Sequence, residues 1–419
     1  MDKFLITGGT PLKGTVRIAG AKNATLPIMA ASLLCPGACQ ISEVPDLRDV
    51  RVMCEILKLM GAKVEVGKGF CRINASDVIA SEVPENLMRE MRSSIFIMGA
   101  LLGRLGKVKV SYPGGCAIGP RPIDLHLKGL AALGAKITEK HGYVLAEGPE
   151  LRGSDVHLDF PSVGATENIM MAAVRARGTT FIRNAAKEPE VVDLQNFLNK
   201  LGAKIRGAGT DTIKVEGVTD LHPTMHAVIP DRIEAGTFMV AAAMTQGEVY
   251  LENTIAEHTE PVAAKLREAG AEVDTSGERI FVAGPRSLQA VDIKTLPYPG
   301  YPTDMQPQTM AMLSIAEGTS VVIENIFVNR FKHVDELRRM GAQIKIEGRA
   351  AVVRGVERLS GACVEASDLR AGVALVLAGL VAEGQTVLDN VHHIDRGYSA
   401  LEEKLRGLGA QIERLKEAR

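Results

Sequence analysis

A layered α/β fold in two lobes, each made of three copies of one unit, is what this sequence predicts. Three observations carry that expectation. A helical run closing on Gly-Ala and turning into an alternating strand recurs at Gly61-Ala62, Gly134-Ala135, Gly202-Ala203, Gly270-Ala271, Gly341-Ala342 and Gly409-Ala410. These glycines stand 68 to 73 residues apart, well above the roughly 20–50-residue periods of solenoids, so each unit can be a small subdomain. Each unit also carries helices and strands in the same order, and helices that pack one apolar face on a sheet give layers.

The fifth unit shows the elements most clearly. Thr303-Asp304 stands where an N-cap would, ahead of a helix from Met305 to Ala316 with Pro307 in its first turn. Gly318 ends that helix, and Val321-Val322-Ile323-Glu324-Asn325 reads as a strand. A loop through Asn329-Arg330 leads to a second helix, His333 to Met340, with Val334, Leu337 and Met340 on one face. Gly341 closes it, and Gln343 to Glu347 alternates as a half-buried strand. Elsewhere the first-helix glycine recurs as Gly37, Gly106, Gly178, Gly247 and Gly384, and strands end in Asn184, Asn253 and Asn390.

A boundary near Ile229-Pro230 leaves three units on either side, each half opening on an apolar helix behind a basic residue: Lys22-Asn23-Ala24 and Arg232-Ile233-Glu234. No low-complexity linker intervenes, so a short hinge and a cleft between the lobes are expected. Net charge is −1, which gives no global attraction to nucleic acid or an acidic membrane surface. The N-terminus lacks a signal pattern, and no apolar run approaches a membrane span. The six cysteines form no C-x-x-C pair and none stands near a His at zinc-site spacing. The expectation is a reduced, metal-free, cytoplasmic protein.

Charges gather at two repeated loop positions. Helix starts carry Lys22-Asn23, Arg92, Ser162-Val163-Gly164, Arg232, Asp304, and Asp368 with Arg370. Loops after the first strand carry Arg48-Asp49, Arg121, Lys187-Glu188, Glu257-His258, Arg330 and Asp395-Arg396. Helix N-termini favour anions, and a neighbouring Lys or Arg strengthens the site. A single such Arg is ordinarily a surface ion pair, but repetition at matching edges suggests a substrate with several anionic groups. Lys63, Lys136 and Lys204 also repeat, on faces expected to be solvated.

Cys116 lies in Ser111-Tyr112-Pro113-Gly114-Gly115-Cys116-Ala117-Ile118-Gly119-Pro120-Arg121, a composition that predicts a mobile loop. A thiol there, five residues from an Arg, is in the setting of a reactive group with an acid–base or covalent role. The other five cysteines are expected to be small core hydrophobes. Neither G-x-x-x-x-G-K-[ST] nor a strand-to-helix G-x-G-x-x-G occurs, which argues against ATP and dinucleotide cofactors.

These residues resemble the UDP-N-acetylglucosamine 1-carboxyvinyltransferase family, the UDP-N-acetylglucosamine enolpyruvyl transferases. The resemblance runs nearly end to end. Its most specific pieces are Gly20-Ala21-Lys22-Asn23-Ala24, Pro113 to Gly119 with Arg121 to His126, Pro230 to Glu234, Tyr301 to Gln306, and Asn329-Arg330-Phe331. It implies two lobes of three βαβαββ units, an inside-out α/β barrel. Residues 22–229 would form one lobe, and 1–21 with 230–419 the other, the active site lying in the cleft.

The implied reaction, which uses no cofactor, adds the sugar 3′-hydroxyl to C2 of phosphoenolpyruvate and then eliminates phosphate, committing the sugar nucleotide to peptidoglycan synthesis. Asp304 would take or orient the hydroxyl proton, and Cys116 would be the acid near C3, able also to form a thioether adduct. Lys22, Arg121 and Arg396 would hold phosphate and carboxylate, with Arg330 close by and Asn23 touching the intermediate. Arg92, Arg121, Pro122, Ile123, Asp124, Leu125, Ser162, Val163, Gly164, Asp304 and Ile326 would bind UDP-N-acetylglucosamine. A cysteine at 116, where the family can carry Asp, implies sensitivity to fosfomycin-type reagents. The rival readings are a transferase for another acceptor such as shikimate 3-phosphate, against which the Cys116 loop argues, and a non-catalytic repeat scaffold binding anionic metabolites or a partner protein.

Overall fold

The computed structural model describes residues 2–112, 118–119 and 122–416. Six small sheets are present among them, five of four strands and one of three. In the four-stranded sheet made of Ile293–Lys294, Thr319–Ile323, Ala350–Arg354 and Gln343–Glu347, the first two strands run parallel and the last two close an antiparallel hairpin. The second repeat has Lys107–Ser111, Tyr143–Glu147 and Lys136–Lys140, with a lone parallel bridge from Glu82 to Lys109 in place of a fourth strand.

The repeated Gly-Ala has a backbone cause. All six glycines, Gly61, Gly134, Gly202, Gly270, Gly341 and Gly409, take φ between 92° and 105°, the left-handed turn that ends a helix and is strained for residues with a Cβ. Strand-ending asparagines play a related part. Asn184, Asn253 and Asn390 are also left-handed, and the Asn184 and Asn253 amides donate to Leu158 O and Ile18 O, both at 2.8 Å. Gly247 departs from its series: Gln246 takes the positive φ, and a Cβ on Gly247 would lie 2.2 Å from the Leu12 carbonyl oxygen.

The chain divides into two compact units. Among the described residues, one comprises 2–19, 118–119 and 230–416, the other 20–112 and 122–229. In the first unit, Lys3–Thr7 pairs antiparallel between Gln385–Asp389 and Gln411–Leu415, while Lys13–Arg17 runs parallel to Glu248–Glu252. The N-terminal segment therefore supplies strands to two sheets of the C-terminal half.

Each unit buries three helices inside its sheets. In one these are Lys22–Ala31, Phe96–Leu105 and Val163–Ala173; in the other, Arg232–Met244, Gln306–Leu313 and Leu369–Val381. They are buried nearly all round and mostly apolar, with a few enclosed polar residues such as Asn168 and Gln308. The remaining long helices, such as Arg48–Leu59 and Pro189–Lys200, bury one face only. Helices inside and sheets outside are the inside-out α/β arrangement. Small residues permit the close approach: a Cβ on Gly99 would sit 2.3 Å from the Asn168 carbonyl oxygen. None of the described helices is long and apolar enough to cross a membrane.

Candidate active site

In the unit of residues 20–229, Lys22 opens its helix from inside the protein. Its ammonium lies 2.7 Å from Asp49 Oδ2, with the two side chains 8% and 3% exposed. Asp49 stands in the first turn of Arg48–Leu59, where the helix dipole favours a carboxylate. Its neighbour Arg48 instead pairs with Glu90 on the surface, 2.7 Å away and half exposed. The repeat position thus held one buried group and one ordinary surface ion pair. Asn23, next to Lys22, is exposed.

Three stretches expected to line a sugar-nucleotide site are brought together within this unit by one residue, Asn168. Its side chain is fully buried. Asn168 Nδ2 donates to the Ile95 carbonyl at 3.0 Å, holding the turn that Arg92 opens. It also donates to His126 Nδ1 at 2.8 Å, which puts the ring proton on Nε2. Asn168 Oδ1 accepts from Gly99 N at 2.7 Å. His126 belongs to the helix Asp124–Ala132, which follows Pro122 and Ile123, and it faces the start of Val163–Ala173: a Cβ on Gly164 would lie 3.0 Å from its ring. Ser162 caps that helix, its Oγ accepting from Ala165 N at 3.3 Å. Ile123 is buried, Leu125, Val163 and Gly164 half-buried, and Pro122 and Asp124 exposed.

The other unit holds the densest charge cluster. Asp304 Oδ1 accepts from Arg330 Nη2 at 2.8 Å, and Oδ2 accepts from Arg370 Nη2 at 3.1 Å. Both guanidiniums are 3% exposed, whereas Asp304 is 29% exposed. Two buried guanidiniums thus share one carboxylate. Among the described residues, Arg330 Nε and Arg370 Nε and Nη1 are buried without a hydrogen-bond acceptor. Burial opposes the charge on Arg370, but Tyr398, Asp304 and Asp231 around it outweigh that and hold it firmly protonated. Such donors, fixed and poorly hydrated, suit an anionic ligand.

Several expectations change here. Asp304 does not cap a helix: Thr303–Met305 is a 3-10 turn, the helix begins at Gln306, and the carboxylate is spent on the two arginines. Arg232 lies over the Tyr298 ring, 5.6 Å from its centroid. Arg396 is half-buried at the end of the turn Val391–Arg396, and its neighbour Asp395 is bound to Arg414 at 2.7 and 3.0 Å. Ile326 N donates to Glu324 Oε1 at 2.8 Å, and the residue is half-buried. Ile118 and Gly119 cluster with this unit, and Asn329 N donates to the Ile118 carbonyl at 3.2 Å. Cys116 and Arg121 lie outside the described residues.

Cys35, Cys39, Cys54 and Cys71 are buried, but Cys363, expected in the core, is exposed because it faces outward in the strand Cys363–Glu365. The sequence gives Asp49, Arg370, Asn168 and Glu324 no individual role. The first two stand at the repeated loop positions, which is a usable signal; Asn168 and Glu324 act through partners distant in sequence, which no local pattern marks. Among the described residues, no group of three His, Cys, Asp or Glu side chains could hold a metal.

Comparison with known proteins adds the following. A sequence model described as EPSP synthase (3-phosphoshikimate 1-carboxyvinyltransferase) matches residues 6–405. UDP-N-acetylglucosamine 1-carboxyvinyltransferase 1 of Caldanaerobacter subterraneus subsp. tengcongensis is 59% identical, over 98% of this chain and 99% of that relative. The protein of the same name from Symbiobacterium thermophilum is 58% identical, over 99% of this chain and 95% of its own length. Among solved structures, the enolpyruvyl transferase NikO from Streptomyces tendae superposes with a TM-score of 0.90 at 26% identity, over 99% of this chain and 98% of NikO. EPSP synthase from Acinetobacter baumannii shares the fold, with a TM-score of 0.76 at 20% identity, over 99% and 100% of the two chains.

Proposed function

The chain belongs to the EPSP synthase family and, within it, to the UDP-N-acetylglucosamine 1-carboxyvinyltransferases, and from that premise we propose how its residues work. The enzyme transfers the enolpyruvyl group of phosphoenolpyruvate to the 3′-hydroxyl of UDP-N-acetylglucosamine and releases phosphate, the first committed step toward peptidoglycan. Identity of 52–59% with relatives of that name along nearly the whole chain is the observation that carries this conclusion.

In the proposed mechanism the 3′-oxygen attacks C2 while a proton reaches C3, giving a tetrahedral centre that bears carboxylate and phosphate. The C2–O bond to phosphate then breaks as C3 gives up a proton, which leaves with the phosphate, and the enol ether is restored. Asp304 receives the hydroxyl proton. Its 29% exposure, against 3% for the arginines behind it, supports this by leaving the carboxylate reachable. Arg330 and Arg396 stabilise the anionic donor together with Lys22, Arg121 and Asn23, and Arg370 holds Asp304 in register. Cys116 delivers the proton at C3 and can be trapped as a thioether, which makes the enzyme a target for fosfomycin-type reagents. Arg92, Arg121 to Leu125, Ser162 to Gly164, Asp304 and Ile326 bind the sugar nucleotide. The reaction belongs in the cytoplasm, ahead of the wall assembly that sets cell shape and permits division.

Mixing the protein with both substrates should release phosphate at a rate that depends on UDP-N-acetylglucosamine. Release that depends instead on shikimate 3-phosphate would overturn the acceptor, and no release with either would overturn the function.

A further inference from the structure

We propose that Glu324 is a positioning residue for the transfer, one buried carboxylate that sets the Asp304–Arg330 pair from behind; this rests on the reading of Asp304 given above. Glu324 is 1% exposed. Its Oε1 accepts from Thr295 Oγ1 at 2.8 Å, Ile326 N at 2.8 Å and Phe327 N at 3.1 Å. Its Oε2 accepts from Thr303 Oγ1 at 2.9 Å. Thr295 Oγ1 itself accepts from Asn325 N at 2.9 Å, which commits the Thr295 proton to Glu324. None of the described Lys or Arg side chains forms an ion pair with it.

A buried carboxylate without a cation is costly, and a fold that needed only packing would do better with an apolar side chain there. What the carboxylate supplies is charge-assisted hydrogen bonding to three stretches of chain, at Thr295, at Thr303 and at Ile326-Phe327. Thr303 directly precedes Asp304, and Ile326-Phe327 opens the segment that carries Arg330. The Arg330 guanidinium lies over the Phe327 ring, 5.8 Å from its centroid. Glu324 therefore ties together the two segments whose next charged residues meet at 2.8 Å. Misplacing a reacting group by about 1 Å can cost on the order of a hundredfold in rate, so such a tie bears on turnover directly.

The test compares Thr303→Val, Thr303→Ser, Glu324→Gln and Asp304→Asn by phosphate release, with kcat and KM measured separately and folding checked by Tm. Thr303 is half-buried, and Thr303→Val removes one hydroxyl while keeping the β-branched shape, with Tm reporting any loss of fold. We expect Thr303→Val and Glu324→Gln to lower kcat about ten- to a hundredfold. For Thr303→Val, KM should stay within about twofold, and Thr303→Ser should restore the rate. Wild-type kcat in Thr303→Val, or a Thr303→Ser enzyme as slow as Thr303→Val, overturns the inference even if Glu324→Gln unfolds. Undiminished turnover in Asp304→Asn would instead overturn the role given to Asp304, so the two failures are distinct.

Discussion

Asp304 is shared by Arg330 and Arg370, one carboxylate oxygen to each, at 2.8 and 3.1 Å. The arginines come from different repeats of one unit, so the repeat architecture itself assembles the cluster. Removing the carboxylate while keeping its shape should stop proton removal without dismantling the site. Asp304→Asn is expected to lower kcat by about 10²–10⁴. Asp304→Ala, which leaves two buried guanidiniums facing each other, should also destabilise the fold by about 1–3 kcal/mol, less than a fully buried pair because Asp304 is 29% exposed. Steady-state kinetics and urea titration separate the two effects.

Lys22 and Asp49 make the corresponding test in the other unit. Asp49→Ala takes away a carboxylate 2.7 Å from an 8% exposed ammonium. A loss of about 3 kcal/mol is expected by denaturant titration, with a raised KM for phosphoenolpyruvate. An unchanged unfolding midpoint would mean that Lys22 is solvated by other means.

Asn168→Leu breaks the bonds that gather Ile95, Gly99 and His126. Its effect should fall on the sugar nucleotide: KM for UDP-N-acetylglucosamine rising about tenfold, near 1.4 kcal/mol, with KM for phosphoenolpyruvate little changed. Equal effects on both substrates would contradict the grouping of these segments.

Two buried groups give opposite pH signatures. Burial depresses the His333 pKa from 6.5 to about 4, helped by Arg330 and opposed by Asp368. The unfolded chain then binds the extra proton between those values, so stability is lost as pH falls through that window. His333→Gln should flatten the fall of Tm between pH 7 and 5.

Glu167 behaves in the reverse sense. Burial raises its pKa, with Glu190 and Glu188 adding to the effect, and both oxygens lack a hydrogen-bond partner among the described residues. The folded state holds a proton that the unfolded state releases, so stability declines as pH rises above the usual carboxylate range. Glu167→Gln should raise Tm by about 2–4 °C at pH 7 and by little near pH 4. A lower Tm at pH 7 would show that the neutral acid makes bonds an amide cannot replace.

The fold was legible because it is written in backbone chemistry. Six glycines at one turn, each with φ near 100°, announce themselves at fixed spacing. The same periodicity marked the positions of Lys22, Asp49, Arg330 and Arg370, since helix starts and strand ends recur with the fold. Position did not reveal partners. Arg48 and Asp49 are neighbours in sequence, yet one pairs on the surface and the other inside. Nothing local distinguishes them, because burial is decided by distant chain. Glu324 and Asn168 were invisible for the same reason: their hydrogen bonds reach residues up to 73 positions away. Cys363 misled because a small apolar residue in a strand fits either face.

The most direct test of addition followed by elimination is to run the reaction in D2O and examine C3 of the product. A proton added at C3 makes that carbon a methyl group in the tetrahedral intermediate, from which one hydrogen is later lost. Deuterium should therefore appear in the vinyl methylene of the enolpyruvyl sugar nucleotide, detected by mass and proton resonance. A product formed at full rate with its methylene wholly undeuterated would mean that C3 is never protonated, and the mechanism built on Asp304 and Cys116 would be wrong.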